Sequence, residues 1–176
     1  MEEQAYLDLK RGERGAILSI VAYICLSILK LTVGIFSGSE ALKADGFLLI
    51  GATNQPDVAR GATPQAIVEA INAKLMATLK LDEIRVCYHD DHDQCQCRKP
   101  LPGLLIEASK EHDIDLKQSV MIGDRWKDVE AGKNAGCKTI WLRAGYQEQD
   151  PPRPPDFIAT SLLEAAQWIR SGDIIS

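Results

Sequence analysis

The chain has 176 residues with a formal charge of −5, a mass of 19.4 kDa and a pI of about 5.2. With 45% hydrophobic and 26% charged residues it is a globular composition, sized for one domain with or without an appendage. General disorder is excluded, and an acidic chain is a poor candidate for a nucleic-acid-binding face. Its cysteines are Cys25, Cys87, Cys95, Cys97 and Cys137, three of them clustered within one short stretch. An odd, clustered set suits a reducing, cytoplasmic compartment and a metal site better than a disulfide framework.

Residues 16–37 (AILSIVAYICLSILKLTVGIFS) carry a single charge, Lys30. At about 1.5 Å per residue a helix of this length matches a hydrocarbon core of roughly 30 Å. The run therefore predicts a transmembrane-like helix and membrane association through it. Lys10, Arg11 and Arg14 precede it and predict a cytoplasmic amino terminus. The run is long for the apolar core of a signal peptide, and no small-residue cleavage pattern follows. The alternative is a buried helix of a soluble protein, because Lys30 is costly in lipid.

From residue 47 the pattern changes. Phe47 to Thr53 (FLLIGAT) is a short apolar run and predicts a buried strand. In Thr63 to Lys80, Ile67, Val68, Ile71, Leu75 and Leu79 recur at helical spacing. Glu83 to Cys87 predicts a second strand, and Pro102 to Asp113 a helix with proline in its first turn. Ser119 to Ile122 predicts a third strand, and Trp126 to Ala135 a helix closed by Gly136. Lys138 to Leu142 and Phe157 to Ala159 predict the fourth and fifth strands, separated by a rigid loop at Pro151 to Pro155. Ser161 to Arg170 is the last helix. Strands that are continuous apolar runs alternating with helices indicate an α/β domain with a mostly parallel sheet. The domains are then 1–46 and 47–171. Ligands in such sheets bind beyond the carboxyl ends of the strands.

Chemistry-bearing residues sit at those ends. Cys87, His89, Cys95 and Cys97 form the pattern C-x-H-x5-C-x-C, which can close a tetrahedral zinc site; chance clustering of reduced thiols is the alternative. His92 is a spare imidazole, and the acidic residues between the ligands read as a solvated loop. Arg98 and Lys99 follow the last thiol and offer an anion site at the sheet mouth, or ordinary surface charge. Asp124 ends the third strand and is placed either to hold Mg²⁺ or to cap the next helix. Asp128 lies one turn on, where it can support that metal from behind. Thr53 and Asn54, with Arg60 on the following loop, offer hydrogen bonds to a phosphoryl group, or ordinary turn chemistry.

Together these residues resemble the haloacid dehalogenase (HAD) superfamily of phosphatases, from about Ala41 to Ile169. The branch most similar contains heptose bisphosphate and histidinol phosphatases. The resemblance implies a three-layer, Rossmann-like α/β sandwich. It implies phosphate contacts at Thr53 and Asn54, a structural zinc held by Cys87, His89, Cys95 and Cys97, and a Mg²⁺ ligand at Asp124. Lys99 balances phosphoryl charge, while Arg98 and Arg125 face substrate. The family opens on a strand ending in D-x-D-x-T/V, whose first Asp attacks phosphorus. No such triplet precedes Thr53, and neither Asp8 nor Asp45 fits it. The expected fold therefore lacks its first strand, and no catalytic nucleophile is identified.

Residues 11–46 resemble instead the start of a cation diffusion facilitator, which makes the chain a chimera. A single span with basic residues inside would also place the thiol-rich domain outside the cytoplasm, in conflict with its chemistry. The sequence thus implies a phosphomonoester hydrolase acting on a small phosphorylated metabolite, of sugar-phosphate or histidinol-phosphate type, impaired in catalysis. The alternatives are a non-catalytic, zinc-stabilised phosphate-binding module and a truncated cation-efflux transporter fragment.

Overall fold

Five short apolar runs pair side by side as parallel strands: β1 (Ile50–Asn54), β2 (Glu83–Cys87), β3 (Val120–Gly123), β4 (Lys138–Leu142) and β5 (Phe157–Ala159). The computed structural model describes residues 38–143, 145 and 148–172. These fall within the unit Ile35–Ser176. Helices α1 (Pro56–Ala59), α2 (Gln65–Leu79), α3 (Gly103–His112), α4 (Trp126–Ala135) and α5 (Leu162–Arg170) connect or follow the strands. Residues 38–44 are also helical. A parallel strand cannot return through a tight hairpin, so the helical crossovers and the parallel pairing are one constraint.

Among the described residues the strands form two sheets. β1 pairs with β2, with Ile50 opposite Glu83 and Asn54 opposite Cys87. β3 pairs with β4, and β4 with β5, with Val120 opposite Lys138 and Ile140 opposite Phe157. Alternation along the strands builds the layers. Ile140, Val120, Ile122 and Leu142 face one way, onto Leu42, Ala165, Ala166 and Ile169. Met121 and Thr139 face the other way, where α4 approaches so closely that a Cβ on Gly132 would overlap both. α3 packs beside α4 on that second face. The result is a Rossmann-like α/β/α sandwich with parallel sheets.

Three differences from the sequence reading concern boundaries. β1 begins at Ile50 rather than Phe47. Phe47 N–H bonds back to the Leu42 carbonyl and Leu49 N–H bonds to the Asp82 carboxylate, so these two amides are taken by groups outside the strand ladder. α1 is a single turn opened by Pro56, too short for a periodic signal. α2 ends at Leu79 and α3 at His112, one residue before the predicted ends, because Lys80 and Asp113 take left-handed φ values of 52° and 53°. Residues 38–46, which the sequence placed with the amino-terminal segment, pack into the α/β core through buried Leu42. The apolar run 16–37 and the rest of the transporter-like segment lie outside the described residues. Among the described residues no helix is long and apolar enough to cross a membrane.

Asp156 fastens the second sheet. Its carboxylate accepts from Thr139 N–H at 2.7 Å, from the Thr139 hydroxyl at 2.8 Å and from Lys133 Nζ at 2.6 Å. Burial works to raise its pKa, but the bonds from Lys133 and Thr139 outweigh it and hold the carboxyl below its usual value. A depressed carboxyl contributes its stability above the unfolded-state pKa and loses it as pH falls through the folded value. Asp156→Ala is expected to cost about 2–4 kcal/mol at pH 7, because Thr139 is fully buried and its N–H is left unpaired. Urea denaturation of both proteins checks this, and the gap between them should narrow below pH 4 or so.

Candidate functional site

A cleft of about 860 Å³ runs between β1 and β3, and its upper lip is made by the carboxyl ends of both strands. Thr53, Asn54, Arg98, Lys99, Asp124 and Asp128 all line it. Lys99 is the centre of this lip. Its ammonium donates to the Ala52 carbonyl at 2.6 Å and to Asp128 Oδ1 at 2.6 Å, so it ties the end of β1 to the first turn of α4. Both side chains are about nine-tenths buried, at 12% and 8% exposed, which makes the pair strong and keeps the cation in one place.

The side chain of Asn54 holds the Lys99 backbone from both sides. Its amide donates to the Lys99 carbonyl at 3.0 Å, and its oxygen accepts from Lys99 N–H at 3.1 Å. Asn54 therefore positions Lys99, and the backbone claims the side-chain groups that the sequence reading assigned to a phosphoryl contact. Thr53 Oγ1 accepts from Gln55 Nε2 at 3.2 Å and lies on the cleft. Asp124 is half-buried, and its carbonyl accepts from Trp141 Nε1 at 3.2 Å. The N-cap of α4 is Arg125, with φ −115°, so the capping alternative for Asp124 is not what the structure shows. Asp128 does cap: Oδ2 accepts from Arg125 N–H at 3.1 Å.

The cysteine loop folds beside this lip. Cys87 Sγ lies 3.1 Å from Cys97 Sγ and 3.7 Å from both Cys95 Sγ and His89 Nδ1. His89 Nδ1 is 3.2 Å from Cys97 Sγ. All four ligand atoms fall within 4.8 Å of one another. Burial, and sharing with the neighbouring thiols, raise the Cys97 pKa. Burial also raises Cys87. Burial acts against Cys95 too, but bonds from Cys97 and the Arg98 backbone outweigh it and lower its pKa. One low thiol beside two raised ones is what crowding does when three sulfurs share one small space.

With that geometry in place, comparison with known proteins is direct. The HAD-hydrolase-like family model matches residues 96–165. The chain is 35% identical over 145 residues to the D-glycero-beta-D-manno-heptose-1,7-bisphosphate 7-phosphatase of Helicobacter pylori strain J99, covering 78% of this chain and 81% of that one. The chain belongs to the HAD superfamily of phosphatases. Its domain is of the heptose-1,7-bisphosphate phosphatase-like kind. The D-glycero-D-manno-heptose-1,7-bisphosphate 7-phosphatase of Thermosynechococcus vestitus is 30% identical over 178 residues, covering 88% and 91%. Among solved structures, the D,D-heptose 1,7-bisphosphate phosphatase of Bordetella bronchiseptica, complexed with magnesium and phosphate, matches with a TM-score of 0.67 and 27% identity, covering 78% and 82%.

Within this HAD domain Arg98, Lys99 and Arg125 line the cleft, and Arg60 of the expected cations does not. Arg60 forms a bidentate pair with Asp90, at 2.7 and 2.6 Å, and does not line the cleft. Arg125 lies at the rim, mostly exposed, with its Nε 3.2 Å from Glu148. Arg98 lines the cleft, and its Nε bonds Asp91 at 2.7 Å. The acidic loop is thus structural, where the sequence suggested mere solvation. Hydrogen bonding to Arg60 holds the Asp90 carboxyl down at about 2, and Asp90 also caps the turn Asp91–Asp93. His92 is exposed, as expected of a spare imidazole. Asn134 was missed altogether: it bonds the Pro100 carbonyl at 2.9 Å and receives Arg153 at 2.6 Å, linking the proline loop to the lip. Its only sequence signal is a polar residue late in α4, which carries no hint of a partner 34 positions away.

Gly123 makes the Asp128–Lys99 pair possible. A Cβ there would overlap the Asp128 side chain. Gly123→Ala is expected to lower stability by about 1–3 kcal/mol through that overlap. Thermal melts check it. The double variant Gly123→Ala/Asp128→Gly should lose less than the sum of the two single changes, because removing the Asp128 side chain removes the clash.

Proposed function

We propose that this chain binds the phosphoryl group of a phosphorylated sugar, of the heptose-bisphosphate kind its relatives are named for, at the lip between β1 and β3. The observation that supports this is the placement of Lys99. A buried ammonium fixed at the carboxyl ends of two parallel strands, with the Thr53 hydroxyl and the half-buried Asp124 on the same lip, is suited to an anion that also carries a cation. A Mg²⁺ fits the donor set: hard cations take one or two carboxylates and complete their shell with waters and phosphate oxygens, and Asp124 supplies the carboxylate. Such an ion, when bound, neutralises charge on the phosphoryl oxygens. Lys99 does the same from the end of β1, where it bonds the Ala52 carbonyl, and Asn54 keeps it from swinging away.

The same lip supports slow turnover. Among the described residues Asp124 and Asp128 are the carboxylates at the carboxyl end of the cleft. Asp128 is committed to Lys99 and to Arg125 N–H, and Asp124 is read as the metal ligand. Among the described residues that leaves electrostatic and positioning groups at this end of the cleft, and a site without an in-line nucleophile loses several orders of magnitude of rate. The test has two parts. Isothermal titration with inorganic phosphate and Mg²⁺ should show saturable binding that Lys99→Met weakens about tenfold, the loss of a buried charge-assisted bond. Phosphatase assays on heptose 1,7-bisphosphate and on an aryl phosphate should show turnover near background. Robust turnover abolished by Asp124→Asn would overturn the impaired reading and leave the phosphatase reading standing.

The second part of the proposal is that Cys87, His89, Cys95 and Cys97 hold zinc. A tetrahedral ion with bonds of about 2.3 Å to sulfur sets its ligands roughly 3.8 Å apart, and the four donor atoms already lie at 3.1–3.7 Å along the contacts that join them. The metal would order the loop that delivers Arg98 and Lys99. Purified protein should carry about one zinc per chain by elemental analysis, and Cys95→Ala/Cys97→Ala should abolish it. Chelation should lower the melting temperature of wild type but not of the double variant. A fully folded, metal-free wild type would count against the site.

A further inference from the structure

A second clamp surrounds the peptide that follows Asp124, on the same lip as Lys99. The β3–β4 ladder runs as far as Gly123 opposite Trp141, and Asp124 is the next residue. Side chains alternate along β4, so Trp141 lies on the same face as Thr139, the face that α4 covers. Gly123 has no side chain to fill that face, and the indole reaches past it: Trp141 Nε1 donates to the Asp124 carbonyl at 3.2 Å. From the α4 side, Asp128 Oδ2 accepts from Arg125 N–H at 3.1 Å. This carbonyl and this N–H belong to one peptide unit. A peptide is planar, so a bond to each of its polar groups holds the whole plane. Holding that plane sets ψ of Asp124, the backbone that carries the Asp124 side chain at the lip.

Both clamping groups are themselves held. Asp128 is tied to Lys99 at 2.6 Å. Trp141 is 5% exposed, and the Arg143 guanidinium lies 4.9 Å from its ring centroid. The cation over the ring face steadies the indole, and a hydrogen bond made away from water is electrostatically stronger than one in solvent. We propose that Trp141 is a positioning residue for the cation site: through the Asp124 carbonyl it sets the direction of the Asp124 carboxylate, and with it the affinity for Mg²⁺. The inference rests on the reading of Asp124 as the Mg²⁺ ligand and names the residue that aims it. Mg²⁺ demands near-ideal octahedral geometry, so a carboxylate on a held backbone binds it better than one on a backbone that turns.

The probe is magnesium chloride alone, titrated into the full chain and followed by the amide resonances of Gly123 and Arg125. Trp141→β-(3-benzothienyl)alanine keeps the shape of the ring and replaces its N–H with sulfur. It is expected to weaken Mg²⁺ binding about fivefold, the loss of one hydrogen bond. Ile140→Val removes one carbon from the neighbouring, fully buried side chain, at a comparable cost in stability. It should leave the Mg²⁺ affinity as in wild type. In wild type the Trp141 indole N–H resonance should move on Mg²⁺ saturation. That of Trp168, stacked on Phe157 with ring centroids 5.0 Å apart, should stay in place. Should the analogue fail to fold, the wild-type resonance decides, and an indole N–H that Mg²⁺ leaves unmoved overturns the proposal. An analogue that binds as tightly as wild type overturns it too, and leaves Asp124 standing as the ligand. So does equal weakening by Ile140→Val, which makes Trp141 a core residue acting through stability. A wild type that takes up no Mg²⁺ overturns the reading of Asp124 together with this one.

Discussion

The Lys99 ammonium lies 2.6 Å from the Ala52 carbonyl and 2.6 Å from the Asp128 carboxylate, and those two acceptors belong to different sheets' surroundings. β1 and β3 share no ladder among the described residues. The carboxyl ends that make the lip are held in register by this buried pair and by the loop that carries it. A cation buried without its partners would be driven out to solvent. Asn54, which clamps the Lys99 backbone, and Gly123, which leaves room for Asp128, are therefore part of the same device.

The cysteine loop is the other end of that device. Arg98 and Lys99 follow Cys97 directly, so whatever orders the thiols also orders the cations. The loop leans on three further supports: Arg60 on Asp90, Arg98 on Asp91, and the amino terminus of α3. Gly103 N–H bonds the Gln96 carbonyl at 3.0 Å, and a Cβ on Gly103 would overlap that backbone. Surface ion pairs of this sort are individually weak. Their role is to choose one path for a polar loop that has little apolar mass of its own.

Much of the fold is legible along the chain. β2, β4, β5 and α4 run over the residues their patterns predict, because each is a short apolar run or a 3.6-residue stripe bounded by Gly, Pro or charge. The start of β1 was not legible. Phe47 and Leu48 look like strand residues, but Asp82, more than thirty positions away, takes the Leu49 N–H. The zinc-type cluster was legible as a spacing, since Cys and His close in sequence are close in space. Arg60 was misplaced because a cation near a strand end signals nothing about which carboxylate captures it, and Asp90 does.

What the sequence by itself determined was the five strands and the longer helices in their order, the four clustered ligands, and the residue types at the strand ends. These follow from local periodicity and from neighbours a few positions apart. Only the tertiary structure decided that Asn54 holds the Lys99 backbone, that Asp128 pairs with Lys99, and that β1 and β3 border one cleft along their edges. Those contacts join residues 29 to 45 positions apart. Such contacts exist only once packing has excluded water from both partners, and nothing in local pattern specifies which distant group will be there.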